Sequence, residues 1–160
     1  MLPGVGGMSP NLTFSVYSDK KFLLTGVLSQ ISSSDNMIIG VNMKREIFYR
    51  SGINPGINDF GTHWERIEGE LTQVVVGDGK IMGINDNLVY YRAGISEEEE
   101  YGTHWNSTGW HASYMSISKN LIVIIRDHEV MLRVGINKTS PLGTKWIRLE
   151  GTPLVQKVCF

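Results

Sequence analysis

Trp64-ERIEGELTQVVVGDGKIMGINDNLVYYRAGISEEEEYGTH-Trp105 is one complete cycle of a repeat that most of the chain can be laid over. Gly-Thr-x-Trp closes the cycle at Gly102–Trp105, and it also occurs at Gly61–Trp64 and Gly143–Trp146, 41 residues apart each time. Upstream, the residues from Gly26 to Asn42 lie without gaps on those from Gly69 to Asn85, at an offset of 43.

Each cycle holds four strand-sized segments. The first is Leu28–Ser32, Leu71–Val76, Ser113–Ile117 and, at the C-terminus, Leu154–Val158. The second, Met37–Val41, Ile81–Ile84 and Leu121–Ile125, is almost wholly apolar, as a strand buried on both faces should be. The third is Glu46–Arg50, Leu88–Arg92 and Glu129–Arg133, and the fourth follows each tryptophan: Glu65–Ile67, Asn106–Thr108 and Ile147–Leu149. Asn85-Asp86-Asn87 and Asp127-His128 stand where tight hairpins are needed, since Asn and Asp tolerate left-handed backbone. Gly77-Asp78-Gly79 turns between the first two segments of its cycle, and a longer polar loop precedes the fourth. In the second cycle that loop carries Glu97–Glu100, four acids that repel one another and stay solvated.

No helical periodicity persists. A repeat of about 40 residues carrying four short strands predicts an all-β chain, a β-propeller of four-stranded antiparallel blades. Three blades are complete and half-blades lie at both ends. Residues 1–22 form a lead-in with a weak strand at 12–17. Repeats fill 23–160, with cycles near 26–68, 69–109 and 110–150 and a last strand at 153–160. A blade buries its faces only against neighbouring blades, and rings typically hold four to eight. Three arrangements satisfy this: a piece of a larger propeller, assembly with another copy, or a small ring with a composite blade made from residues 12–25 and 153–160.

Composition narrows the function. Hydrophobic residues at 41% and charged residues at 19% are those of a globular chain. A net charge of −1 lacks the dense positive surface of a nucleic-acid binder. No apolar run approaches the roughly 20 residues of a membrane span. The N-terminus shows neither a basic start nor an apolar h-region, so no signal peptide is expected, and the single cysteine, Cys159, does not report the compartment. The sequence shows no phosphate loop, catalytic triad, paired carboxylates, compact metal-ligand set or cofactor motif. A binding protein is expected rather than an enzyme, with no cofactor and no metal.

Trp64 and Trp105 fit two roles, a wedge between sheets or a platform for a sugar ring, and burial of so large a side chain favours the wedge. Arg50, Arg92 and Arg133 close the third segment, where their planar donors suit either a ligand or a neighbouring blade. Asn42 and Asn85 read first as turn residues, and His63 and His104 as surface or ligand-facing groups. Gly40 and Gly83, inside buried strands, read as points of close backbone approach.

Taken in register, Gly-Thr-x-Trp, Ile/Val-x-Gly-Val/Ile-Asn (Ile38–Asn42, Ile81–Asn85), Tyr-Arg-x-Gly-Ile (Tyr49–Ile53, Tyr91–Ile95) and Trp-x-x-Ile-x-Gly-x-Leu (Trp64–Leu71) resemble tectonin β-propeller repeats over about residues 23–160. The resemblance is strongest to the fish-egg lectin and tachylectin type. It implies a propeller, commonly six-bladed, that binds N-acetylated sugars or bacterial lipopolysaccharide, often outside the cell in innate defence. Its partners would be glycans, with a homo-oligomer completing the ring. The rival reading is an intracellular protein-interaction scaffold. Ligand candidates are the groups shared by cycles one and two: Asn42, Tyr49, Arg50, His63 and Trp64, with Asn85, Tyr91, Arg92, His104 and Trp105. Cycle three departs, with Trp110 in the place of Gly69, Arg126 in that of Asn85 and Leu132 in that of Tyr91.

Overall fold

The computed structural model describes residues 14–17, 21–24 and 27–151. Blade one comprises β3 (Leu28–Ser34), β4 (Met37–Asn42), β5 (Ile47–Ser51) and β6 (His63–Ile67). Blade two comprises β7 (Gln73–Gly77), β8 (Lys80–Asn85), β9 (Leu88–Ala93) and β10 (His104–His111). Blade three comprises β11 (Tyr114–Ser118), β12 (Leu121–Arg126), β13 (Glu129–Val134) and β14 (Lys145–Arg148). Each blade is an antiparallel meander, and the described residues contain no helix.

The hairpins form where the sequence permits positive φ. Asp86 and Asn87 sit at φ 47° and 65°, and Asp127 and His128 at 51° and 67°. Such pairs match the right-handed twist of the strands they join. Cycle one has a longer connection, with Asn42 Oδ1 accepting from the Lys44 and Glu46 N–H groups and Arg45 at φ 67°.

The core lies between blades. Ile39, Val41, Ile47 and Ile67 of blade one pack against Leu71, Val74, Val76 and Ile81 of blade two. Val75, Met82, Ile84 and Val89 of blade two pack against Met115, Ile122 and Ile124 of blade three. β7 is buried along its whole length because a blade covers each of its faces. Gly83 and Gly40 do admit close approach: a Cβ on Gly83 would lie 2.7 Å from the Gln73 carbonyl, and one on Gly40 2.8 Å from that of Gln30. Inner strands β3, β7 and β11 lie side by side, and among the described residues no comparable contact joins β11 back to β3.

Several boundaries differ from the sequence reading. The fourth strand of each blade begins at His63, His104 or Lys145, so the signature tryptophan lies inside it, paired with the arginine of the preceding strand. β7 begins at Gln73 rather than Leu71, whose N–H bonds instead to the Arg45 carbonyl of blade one. The first sheet has six strands rather than four: β1 (Phe14–Tyr17) and β2 (Lys21–Leu24) form a hairpin on its outer edge, with β1 running parallel to β6 at Val16 and Trp64. The strand expected at 153–160 lies outside the described residues.

Candidate functional site

The signature builds one structural device three times. Arg50, Arg92 and Arg133 each stand opposite a tryptophan across the last two strands of a blade. The guanidinium lies 5.7, 5.2 and 5.2 Å from the ring of Trp64, Trp105 and Trp146, respectively. Its Nε donates at 2.8 Å to the carbonyl before the signature glycine, that of Phe60, Tyr101 or Leu142. Arg92 also binds both carboxylate oxygens of Glu68, which links blades one and two, and it is only 5% exposed. Its donors are taken up inside the chain and it lies over the Trp105 ring, so Arg92 works as an internal brace. Trp105 donates Nε1–H to the Glu68 carbonyl at 2.9 Å and covers Gly69. It is half-buried, a wedge with one edge exposed. In cycle three Trp110 takes the place of Gly69 and meets Trp146 edge-on at 4.9 Å, so Arg133 is held between two indoles.

The turn residues are likewise occupied. Asn42 donates to Glu46 Oε2 at 2.7 Å, and Asn85 Oδ1 accepts from Arg45 of blade one at 3.3 Å.

What remains accessible converges on a different place. β6 presents His63 and Glu65 on one face, two residues apart, as strand periodicity requires. His63 Nε2 lies 2.8 Å from Glu65 Oε1 and Nδ1 lies 2.8 Å from Thr62 Oγ1. An ionised carboxylate only accepts, so Nε2–H donates to Glu65 and, in the neutral ring, Nδ1 accepts from the threonine. Across the blade boundary the Tyr101 hydroxyl donates to Glu65 Oε2 at 2.7 Å, and Glu100 Oε2 accepts from the Gly52 N–H at 3.3 Å. Tyr101 packs on Tyr49 with ring centroids 5.3 Å apart. The result is a cleft of about 370 Å³ lined by Ser51, Gly52, Thr62, His63, Glu65 and the loop from Glu97 to Tyr101. Blade two repeats the polar pair in weaker form: His104 Nδ1 is 2.9 Å from Thr103 Oγ1, and Asn106, in the place of Glu65, donates to the Tyr91 hydroxyl at 3.2 Å. Blade three has Lys145 and Ile147 at these positions.

Of the residues expected at a site, His63 lies in the cleft wall and Tyr49 is buried behind it, beneath Tyr101. Arg50 and Trp64 form the blade-one brace. Glu65, Tyr101 and the acidic loop were not foreseen. Period-two spacing from His63 signals Glu65, whereas Tyr101 arrives from the next blade without a local signal. No group of three His, Cys, Asp or Glu side chains among the described residues is placed to hold a metal ion.

The cleft has a definite electrostatic state. Burial pushes the Glu65 carboxyl up, but the hydrogen bonds from Tyr101 and His63 outweigh it, and the net shift is downward. Its stabilising contribution is therefore present above the ordinary value of 4.5 and lost as pH falls through the lower folded value. Tyr49 is pushed up to about 12 by burial and then by the charges of Glu100 and Glu65. Tyr101 is also pushed up to about 12, first by its hydrogen bond to Glu65 and then by burial. A raised tyrosine stabilises fully below the ordinary 10.0 and ceases to do so as pH passes about 12. Ultraviolet titration of tyrosinate is expected to show two late-ionising tyrosines, one removed by Tyr49→Phe and the other by Tyr101→Phe, with the melting temperature falling over the same interval. A single common step near 10 would contradict this environment.

Comparison with known proteins adds the family. No curated protein matches the chain in sequence. Among solved structures it is similar to human WBSCR16, at 9% identity and a TM-score of 0.57 over 79% of this chain and 40% of that one. It is also similar to yeast RCC1 (Prp20) in complex with Kap60, at 13% identity and a TM-score of 0.55 over 81% of this chain and 36% of that one. At these identities the likeness is one of fold, and the chain spans about two-fifths of the length of those structures. A family model described as Tectonin domain matches residues 17–159. With the Arg and Gly-Thr-x-Trp brace recurring in register and that match covering nearly the whole sequence, the chain belongs to the Tectonin family of β-propeller repeat proteins.

Proposed function

We propose that this chain is a carbohydrate-binding module that takes an N-acetylated sugar in the cleft between β6 and the 97–101 loop. The observation that carries the reading is the oriented His63–Glu65–Tyr101 group at the mouth of an open cleft, repeated in part at His104 and Asn106. A neutral sugar needs a few fixed donors and acceptors beside an apolar surface, and this cleft supplies a carboxylate, an imidazole, a hydroxyl and the Tyr101 ring. Glu65 and Glu97–Glu100 make it acidic, which favours a neutral amide-bearing sugar there over the phosphates of lipopolysaccharide. The setting that suits such a module is glycan recognition outside the cell in innate defence, with binding rather than catalysis as its role. Two weak sites on successive blades would gain avidity on a multivalent glycan surface.

The test is calorimetric titration with N-acetylglucosamine oligomers. His63→Ala and Glu65→Gln are expected to weaken binding roughly five- to a hundredfold, the range for loss of one polar partner. His104→Ala should have the smaller effect, because its strand offers Asn106 in place of a carboxylate. The exposed Glu97–Glu100 run favours a second reading, a scaffold that docks a basic peptide. Absence of sugar binding, together with salt-sensitive capture of a lysine-rich peptide that is lost on neutralising Glu97–Glu99, would select it.

A further inference from the structure

The two junctions between blades share a backbone frame and differ in what fills it. The Leu71 N–H bonds to the Arg45 carbonyl at 3.0 Å, and the Thr72 N–H to that of Ile84 at 2.7 Å. One repeat later the Ala112 N–H bonds to the Asn87 carbonyl at 2.9 Å, and the Ser113 N–H to that of Ile125 at 2.8 Å. Between blades one and two, Arg45 Nη1 reaches across to Asn85 Oδ1 at 3.3 Å and Asp86 Oδ1 at 3.2 Å. Between blades two and three, Asn87 takes the place of Arg45 with a shorter side chain, and among the described residues no such bridge crosses. The space is instead an open cleft of about 640 Å³, with Asn87, His111, Arg126, Asp127 and His128 in its wall.

The substitutions also change the chemistry of the wall. His111 stands where the first junction has Glu70, Arg126 where it has Asn85 and His128 where it has Asn87, while Asp127 keeps the place of Asp86. Arg126 is half-buried at the end of β12. Each of the other described arginines holds a carboxylate or carbonyl acceptor within the chain. Among the described residues Arg126 holds none. A guanidinium drawn partly out of water without an acceptor is costly unless a ligand supplies one. His111 and His128 each offer at least one ring N–H in either charge state. Asp127, the one acid in the wall, is exposed at the hairpin tip, where water and salt screen it.

We infer that this cleft is an anion site that takes a phosphate group, with the Arg126 fork on two of its oxygens and the His111 and His128 N–H groups on the others. Planar, bidentate donation is what arginine brings to a phosphate. A carboxylate fits less well, because its two oxygens are used up by the fork and leave the imidazoles unserved. The site is separate from the sugar cleft. The hairpins at Asp86-Asn87 and Asp127-His128 enter β9 and β13, whereas the 97–101 loop leaves β9 at its other end. Both can therefore be filled at once, and this inference does not rest on sugar binding.

The test is a nuclear magnetic resonance titration of the full chain with inorganic phosphate and with glucose 6-phosphate, at an ionic strength held constant with sodium chloride. Saturable shifts are expected at the Arg126 Nε–H and at the His111 and His128 rings, with a dissociation constant on the order of 1 mM. Arg126→Asn, which installs the residue of blade two, should weaken binding by about tenfold or more, the effect of losing charge-assisted hydrogen bonds. Phosphate should raise the melting temperature of the parent chain and not that of this variant. His111→Ala, at an exposed position, should weaken binding severalfold and serves as the test if Arg126→Asn does not fold. Tighter binding of glucose 6-phosphate would assign the ligand to phosphate carried on a sugar, and equal binding to the phosphate group alone. Shifts reproduced by chloride, no saturable shift at millimolar phosphate, or an affinity unchanged in the folded variants would each overturn the inference.

Discussion

Gly102→Ala is expected to lower the melting temperature by on the order of 10 °C, although the substitution adds only one methyl group. Two independent terms act. Gly102 sits at φ 71°, where an L-residue costs about 1–2 kcal/mol. A Cβ there would also press on the Ala93 carbonyl, and it would approach Cγ of Arg92 and Cγ1 of Ile95 to 3.0 Å. The carbonyl belongs to a paired backbone that accepts the Thr103 N–H at 2.8 Å, so it has little room to retreat. Overpacking of this kind adds about 1–3 kcal/mol. The sum, about 2–5 kcal/mol, translates at about 2–4 °C per kcal/mol for a domain of this size. Gly56→Ala separates the terms. Gly56 has φ 80°, but an added Cβ would meet nothing within 4 Å, so only the backbone term of about 1–2 kcal/mol should appear. Equal losses at the two positions, measured by denaturant melts, would show that crowding contributes nothing.

The same glycine shows why the fold was legible. The signature needs a left-handed residue, a hydroxyl and an indole facing an arginine, and few sequences meet all three demands by chance. Asp86-Asn87 and Asp127-His128 announced their hairpins because few residues tolerate two consecutive positive φ values. The first sheet was not legible. Val16 pairs with Trp64 across 48 residues, in parallel, and no local pattern encodes such a contact. The candidate cleft was half legible. His63 stood out by repetition, but its partner Tyr101 and the acidic loop come from the following blade, whose approach depends on how the blades stack. Tyr-Arg occurs identically at Tyr49-Arg50 and Tyr91-Arg92, yet the burial is reversed. Tyr49 is 2% exposed and Tyr91 is half-buried, while Arg92 is 5% exposed and Arg50 is half-buried. The neighbours decide this: Tyr101 covers Tyr49, and Glu68 closes over Arg92.

Arg92→Ala should therefore act on stability, at about 3 kcal/mol, and not on ligand affinity measured where the protein is fully folded. Removing one partner of a buried ion pair costs about 3–5 kcal/mol when the other charge stays trapped. Here Glu68 is 64% exposed and returns to water, which places the loss at the low end of that range. The Tyr101 and Gly102 carbonyls lose donors at 2.8 and 3.1 Å, and Trp105 loses the cation over its ring. Each lost hydrogen bond to a buried acceptor contributes about 1 kcal/mol or more, and the cation–π contact about 0.5–2 kcal/mol. Arg50→Ala should cost less, about 1 kcal/mol, because its loop bonds are more exposed and among the described residues no carboxylate is paired with it. Arg92→Lys is the informative control. Lysine keeps the charge but cannot reach two carbonyls and a carboxylate from one planar group, so most of the loss should remain. Urea melts of the three variants beside sugar titrations of each separate the two roles. A loss below about 1 kcal/mol for Arg92→Ala, the level of an ordinary surface change, together with weakened sugar binding, would move Arg92 from the brace to the ligand.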